Sequence, residues 1–172
     1  MVETALEEGL MSLWEKYLAS VLPTSLYTGD EWRNLLDSIR SGGCSIVPGP
    51  DGPIEVVNNV AIAVNYRDLE LCEVGEGWSS LGVRRVVKIG ENWDEVCTEA
   101  LLNLGLPQTN FEIVPTGGEV FTVPKPGLIL RVMVQWYSFT MPDALYRDSY
   151  RSKAGEMWTW SEKQSADESR KQ

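Results

Sequence analysis

Residues 54–66 read IEVVNNVAIAVNY, a stretch in which apolar side chains alternate with polar or small ones. Because side chains two residues apart share one face of a β-strand, the pattern predicts a half-buried strand with a bulge at Asn58. The apolar set comprises Ile54, Val56, Val60, Ile62, Val64 and Tyr66, and the other set comprises Glu55, Asn59, Ala61, Ala63 and Asn65. Residues 69–74 and 83–89 predict two shorter strands that follow it.

Two helices are expected on the N-terminal side of this strand. The first covers residues 6–21, where apolar residues recur at steps of three and four, and Pro23 ends it. Thr28 begins the second, because Glu31 follows it at the spacing of a capping box, and Gly42 ends it. The apolar faces of these two helices are Leu6, Leu10, Leu13, Trp14, Tyr17, Leu18 and Val21, and Trp32, Leu35, Leu36 and Ile39.

A third helix is marked at both of its ends. Asn92 is a favourable N-cap residue, Glu95 follows at the third helical position, and Gly105 and Pro107 end the helix. Its apolar stripe consists of Val96, Ala100, Leu101 and Leu104. We therefore expect this helix to pack one face against the sheet.

The rest of the chain is expected to be strand and turn. Residues 111–123 predict a hairpin that Gly117 and Gly118 close. Residues 128–139 carry apolar side chains at both even and odd positions, which lie on opposite faces of a strand. This pattern predicts a central strand covered on two sides. The order of elements predicts an α+β fold: two N-terminal helices, a mainly antiparallel sheet with one further helix packed on it, and a polar C-terminal tail.

We expect a single α+β domain over residues 1–142 and a C-terminal helix and tail over residues 143–172. The composition changes after Pro142, since residues 143–172 hold six acidic and six basic side chains. The net charge of -10 therefore belongs entirely to residues 1–142. Residues 143–150 predict a short helix, and residues 161–172 predict a frayed polar end.

Composition excludes several classes of protein. The 172 residues contain no histidine, which removes Ser-His-Asp and Cys-His catalysis and histidine-ligated metals. The net charge of -10 disfavours nucleic acid and anionic membranes as partners. Cys44, Cys72 and Cys97 form no CxxC pair, so neither a disulfide framework nor a zinc site is indicated. We expect no metal and no cofactor, and an intracellular location.

Acidic residues cluster at the start of the third helix, at Glu91, Asp94, Glu95 and Glu99. Carboxylates at a helix N-terminus complement the helix dipole, so a purely structural role explains them. Two other roles stay open. The cluster is a candidate docking face for a basic protein, and in a small enzyme relying on carboxylates it would line a deep pocket.

Trp78, Arg84 and Lys88 are a minor candidate for nucleic-acid binding, with the indole as a stacking platform and the two cations beside it. Ion pairing within the acidic domain is the simpler role for the cations. The glycine-rich stretch around Trp78, residues 75–82, lacks the spacing of a dinucleotide loop and is expected to be a hairpin loop.

Trp158 and Trp160 are the main candidates for contact with a partner. They lie on one side of the chain if the segment is extended, and tryptophan is enriched at binding hot spots. The alternative is that both indoles pack back on their own domain. A second copy of the chain is included among the expected partners.

These features predict a non-catalytic interaction or assembly protein that acts through a surface and self-associates. A virus-encoded accessory or structural protein fits this description, in which case the location is the host cytoplasm or nucleus. Two alternatives stay open. One is an acidic inhibitor, of the immunity-protein type, that blocks a basic enzyme or a nucleic-acid-binding groove. The other is a small enzyme relying on carboxylates.

Overall fold

A computed structural model describes residues 15–22 and 24–163, and its fold is α+β, as the sequence predicts. Helix α1 occupies residues 15–21 in the described part. Helix α2 spans Gly29–Arg40, and helix α3 spans Trp93–Asn103. Short 3-10 turns occur at Thr24–Leu26 and Asp143–Leu145. The predicted start of α1, with Trp14, lies outside the described residues.

The strands form a mainly antiparallel sheet in the described chain, with neighbours in the order β6-β7-β2-β3-β9-β8. Strand β1 also pairs with β2, β4 with β3, and β5 with β2. The strands are β1 (Ser45–Gly49), β2 (Gly52–Tyr66), β3 (Leu69–Gly75), β4 (Trp78–Leu81), β5 (Val83–Val86), β6 (Ile113–Lys125), β7 (Leu128–Thr140), β8 (Ser149–Arg151) and β9 (Met157–Glu162).

Two predicted caps are confirmed by hydrogen bonds. The Glu31 amide donates to Thr28 Oγ1 at 3.2 Å, and the Thr28 amide donates to Glu31 Oε2 at 2.8 Å, so both halves of the capping box form. The amides of Asp94 and Glu95 donate to Asn92 Oδ1 at 2.9 and 3.3 Å. Local sequence therefore fixes where α2 and α3 begin.

The chain divides into two compact units. Unit 1 comprises Met1–Asn58, Val86–Gly90 and Val120–Met133. Unit 2 comprises Asn59–Arg85, Glu91–Glu119 and Val134–Gln172. The predicted boundary between residues 142 and 143 falls inside unit 2.

In unit 1, helices α1 and α2 contribute to a core with β1 and the start of β7. Strand β1 runs antiparallel to β2 with Ser45 opposite Val56 and Gly49 opposite Gly52, so the chain reverses at residues 50–51. The buried members of this core are Leu18, Leu22, Leu35, Cys44, Ile46 and Leu128.

In unit 2, strand β9 lies between β3 and β8. Leu71 is opposite Trp160 in the β3–β9 pair, and Tyr150 is opposite Trp158 in the β8–β9 pair. Helix α3 buries its predicted stripe, whose exposed fractions are Val96 7%, Ala100 1%, Leu101 0% and Leu104 1%. The stripe read from the sequence is therefore the face that packs inward.

The predicted hairpin at Gly117 and Gly118 is wrong. Both glycines lie inside the single strand β6, and Gln135 Nε2 of β7 donates to the Gly117 carbonyl at 2.6 Å. The chain reverses instead between β6 and β7, where Gly127 has a positive φ of 72°. Pro126 fixes the first central turn position and Gly127 adopts this left-handed conformation, which other residues rarely do.

The segment after Pro142 contains less helix than predicted. Residues 143–145 form one 3-10 turn, and the chain then enters β8 and β9. Residues 164–172, most of the predicted frayed end, lie outside the described residues. Within the described chain, no helix is both long enough and apolar enough to cross a membrane.

Candidate functional site

A cavity of about 370 Å³ lies in unit 1, between helix α2 and the segments of β2, β6 and β7 that belong to this unit. Its volume is in the range of small-molecule sites. The polar lining is Tyr27, Glu31, Asn34, Ser38, Glu55 and Lys125, and the apolar lining is Leu26, Leu35, Pro126 and Leu128. The cavity thus combines an apolar wall with a few convergent polar groups.

Glu55 and Lys125 form the ionic centre of this cavity. Lys125 Nζ donates to Glu55 Oε2 at 3.1 Å. The Glu55 side chain is 10% exposed, whereas the Lys125 side chain is 41% exposed. The carboxylate is therefore held in the wall of the cavity, and the ammonium reaches it from the more open side.

Burial and the Glu55 carboxylate raise the pKa values of two neighbouring side chains. The pKa of the Cys44 thiol is raised to about 11, first by burial and then by the adjacent Glu55 carboxylate. Burial also raises the pKa of the Tyr27 hydroxyl, and the carboxylates of Glu55 and Glu31 raise it further. Cys44 consequently stays a protonated thiol and is no nucleophile at neutral pH.

Helix α2 positions one side of the cavity. Its N-terminus is fixed by the Thr28–Glu31 capping box, and Leu35 is the buried residue of this helix. Asn34 and Ser38 are one turn apart and both line the cavity. Tyr27, just before the helix, donates its hydroxyl to the Pro126 carbonyl at 2.8 Å.

Sequence reasoning missed this site. Glu55 belongs to the set of β2 residues predicted to form a polar or small face, yet the residue is 8% exposed. Lys125 carries no local signal beyond its position between two prolines. The available signal was the single charged side chain inside an otherwise uncharged strand, because an unpaired buried charge is costly and implies a partner elsewhere.

The acidic cluster of α3 is placed outside the cavity. Asp94 and Glu95 occupy the first turn of α3, and the side chains of Glu91, Asp94, Glu95 and Glu99 are all exposed. None of the four lines the cavity of unit 1. Their use as a docking face stays a prediction. Among the described residues, no group of three or more acidic or cysteine side chains is arranged to hold a metal ion.

Trp158 and Trp160 both pack within unit 2. Trp158 is 1% exposed. Trp160 stacks on Tyr146 with ring centroids 5.6 Å apart, and its Nε1 donates to the Arg147 carbonyl at 2.7 Å. Tyr66 completes this aromatic group, 4.2 Å from Tyr146. The buried indole of Trp158 therefore offers no exposed surface to a partner, which corrects its place among the partner-binding candidates.

The three candidates for nucleic-acid binding have different surroundings. Trp78 is 51% exposed on the short strand β4. Arg84 lies over the ring of Trp136, 5.4 Å from its centroid, and not over Trp78. Lys88 is exposed and belongs to unit 1, whereas Trp78 and Arg84 belong to unit 2. Nucleic-acid binding through these residues stays a prediction.

Several solved structures are similar to this chain. A MutT protein from Bacillus halodurans is 15% identical with a TM-score of 0.40, over 62% of this chain and 68% of that one. An Ap4A hydrolase from C. elegans is 13% identical with a TM-score of 0.39, over 62% and 80%. A NUDIX hydrolase from Nitrosomonas europaea is 20% identical with a TM-score of 0.34, over 66% and 75%. No protein-family model and no curated protein matches.

The prediction of a non-catalytic, self-associating interaction protein is contradicted by these structures, since two of them are named as hydrolases. The same finding contradicts the expectation that the chain is not an enzyme, and the assignments as a non-catalytic protein-binding protein and as a viral protein. Likeness of this extent carries no substrate and no residue role over to this chain.

Proposed function

We propose that the protein is a small enzyme that binds a small organic molecule in the cavity of unit 1 and uses the Glu55 carboxylate as a general base. The observation that carries the proposal is the placement of Glu55. Its side chain is 10% exposed, yet it lines a cavity of about 370 Å³. A carboxylate that is largely removed from water and still faces a cavity is suited to proton transfer.

Lys125 gives the carboxylate a defined position. Its ammonium binds Glu55 Oε2 at 3.1 Å, and the Cys44 thiol also hydrogen-bonds to the Glu55 side chain, so the carboxylate is held from two sides. The apolar wall formed by Leu35 and Leu128 limits hydration of the reacting groups. Lys125 is thus a positioning residue, and Glu55 is the residue that we assign to the chemistry.

A direct test is the Kemp elimination of 5-nitrobenzisoxazole, a neutral aromatic probe small enough for this cavity. The base takes the proton from the ring carbon, and the electron pair of that C–H bond forms the C≡N bond of the nitrile. The N–O bond breaks, and its electron pair leaves with the oxygen as a coloured phenolate. We expect Glu55→Gln to lower kcat/KM at least about 100-fold, since a positioned general base contributes at least that factor. The rate is followed by absorbance of the phenolate.

The matched control is Glu76→Gln, the same change at an exposed glutamate in the turn between β3 and β4. Its kcat/KM is expected to equal that of the wild type. Circular dichroism and thermal unfolding establish that Glu55→Gln is folded, and Glu55→Asp gives a second folded variant that keeps a carboxylate. Equal rates for the wild type and Glu55→Gln would overturn the proposal, as would an equal loss in Glu76→Gln.

The proposal includes an intracellular location. What supports it is the state of Cys44, Cys72 and Cys97, which are all free and buried. Free thiols persist where glutathione and thioredoxin keep them reduced. Labelling with a thiol reagent after unfolding in the absence of reductant is expected to modify all three residues.

A further inference from the structure

The cavity of unit 1 carries more negative than positive charge. Two carboxylates, Glu31 and Glu55, and one ammonium, Lys125, are in its lining. Lys125 is already bound to Glu55 at 3.1 Å, so the charge of Glu31 has no cation of the lining bound to it. A ligand with one positive charge would balance the lining.

Tyr27 lines the same cavity as the two carboxylates. Both Glu55 and Glu31 raise the pKa of its hydroxyl, after the larger effect of burial. The Tyr27 hydroxyl and the two carboxylates therefore belong to one cavity lining.

Hydrogen-bond acceptors among these lining residues match the excess of negative charge. The Tyr27 hydroxyl uses its proton on the Pro126 carbonyl at 2.8 Å and keeps its lone pairs for a donor. Glu31 uses Oε2 to accept from the Thr28 amide at 2.8 Å, which leaves Oε1. A primary ammonium group supplies three donors, and no other simple charged group supplies donors alone in so small a volume.

The apolar part of the lining sets the body of the ligand. Leu26, Leu35 and Leu128 line the cavity, and the last two are buried members of the unit 1 core. Such a wall binds a hydrocarbon or aromatic group by removing it from water. The net charge of -10 on the whole chain attracts cations to the surface in general.

We infer that the ligand of this cavity is a small primary amine with an apolar body, whose ammonium lies between Glu31, Glu55 and the Tyr27 hydroxyl. The inference rests on the proposed function, because it names the substrate class of the same site. It assigns Glu31 to recognition of the ligand and leaves proton transfer to Glu55.

The test compares benzylamine, benzyl alcohol and benzoate, which share one ring and differ in charge. Binding at pH 7 and fixed ionic strength is followed by the amide NMR signals of Tyr27, Asn34 and Ser38. Benzylamine is expected to bind at least about tenfold more tightly than either of the others, because a charge pair within the cavity contributes at least that factor. An equal affinity for all three, a preference for benzoate, or no binding of any probe overturns the inference.

Variants assign the effect to Glu31. Glu31→Gln is expected to weaken benzylamine several-fold and to leave benzyl alcohol unchanged, while the glutamine oxygen still accepts the Thr28 amide in the capping box. Asp30→Asn removes the same charge from the same helical turn, outside the cavity, and is expected to change neither affinity. An unchanged benzylamine affinity in Glu31→Gln would contradict the assignment.

The inference and the proposed function fail separately. Loss of the amine preference with an intact Glu55-dependent Kemp rate overturns the ligand class alone. A Kemp rate that does not depend on Glu55 overturns the general base, whatever the amine preference is.

Discussion

Trp158→Ala is expected to lower the free energy of unfolding by about 3–5 kcal/mol, the usual cost of removing a large aromatic side chain from a core. Trp158 is 1% exposed and is the largest of the fully buried side chains in the described chain. Its strand β9 is bonded on both sides, to β3 and to β8, so the surroundings have little freedom to fill the space. Urea denaturation measures the loss.

Two variants control this experiment. Trp158→Phe keeps a ring, and the Trp158 Nε1 has no hydrogen-bond partner among the described residues, so we expect a loss of no more than about 2 kcal/mol. Trp78→Ala removes an indole that is 51% exposed and is expected to cost about 1 kcal/mol or less. A Trp158→Ala variant as stable as Trp78→Ala would contradict the burial of Trp158.

Leu101→Ala is expected to lower the free energy of unfolding by about 2–5 kcal/mol, because Leu101 is 0% exposed on the inner face of α3. Alanine is a strong helix former, so the loss reflects packing and not helix propensity. The measurement is again urea denaturation, with the slope of the transition checked for two-state behaviour.

Leu102→Ala is the matched control, since it makes the same change at the next position of the same helix. Leu102 is half-buried, and its replacement is expected to cost less than half as much as that of Leu101. Equal losses at the two positions would mean that the stripe read from the sequence is not the packed face of α3.

The helices and their caps were predictable because their signals are local. A capping box needs only Thr28 and Glu31 at the right spacing, and the N-cap of α3 needs only Asn92. Periodicity also identified β2 and the inward stripe of α3. These features depend on side chains within one or two turns, so distant contacts do not change them.

The turn and the site were not predictable, because both depend on contacts distant in sequence. Gly117 and Gly118 satisfy the chemistry of a hairpin turn, but pairing of β6 with β7 places them inside a strand. Glu55 is paired with Lys125, which is 70 residues away. Strand periodicity assigned Glu55 to a polar face, and only the folded chain shows that this face closes a cavity.

The candidate residues predicted from the sequence did not include Glu55, for a related reason. The absence of histidine excludes histidine chemistry, but it says nothing about a carboxylate whose environment is built by folding. The exposed acidic residues of α3 form a visible cluster because they are close together in sequence. Glu31 and Glu55 line one cavity only in the folded chain.

The measurement that tests the central claim most directly is a crystal structure with 6-nitrobenzotriazole, an unreactive analogue of the Kemp substrate. The account predicts that the analogue occupies the cavity of unit 1, with its N–H donating to the Glu55 carboxylate and its ring against Leu35 and Leu128. An analogue bound elsewhere, or one in the cavity without contact to Glu55, would contradict the assignment of Glu55 as the base.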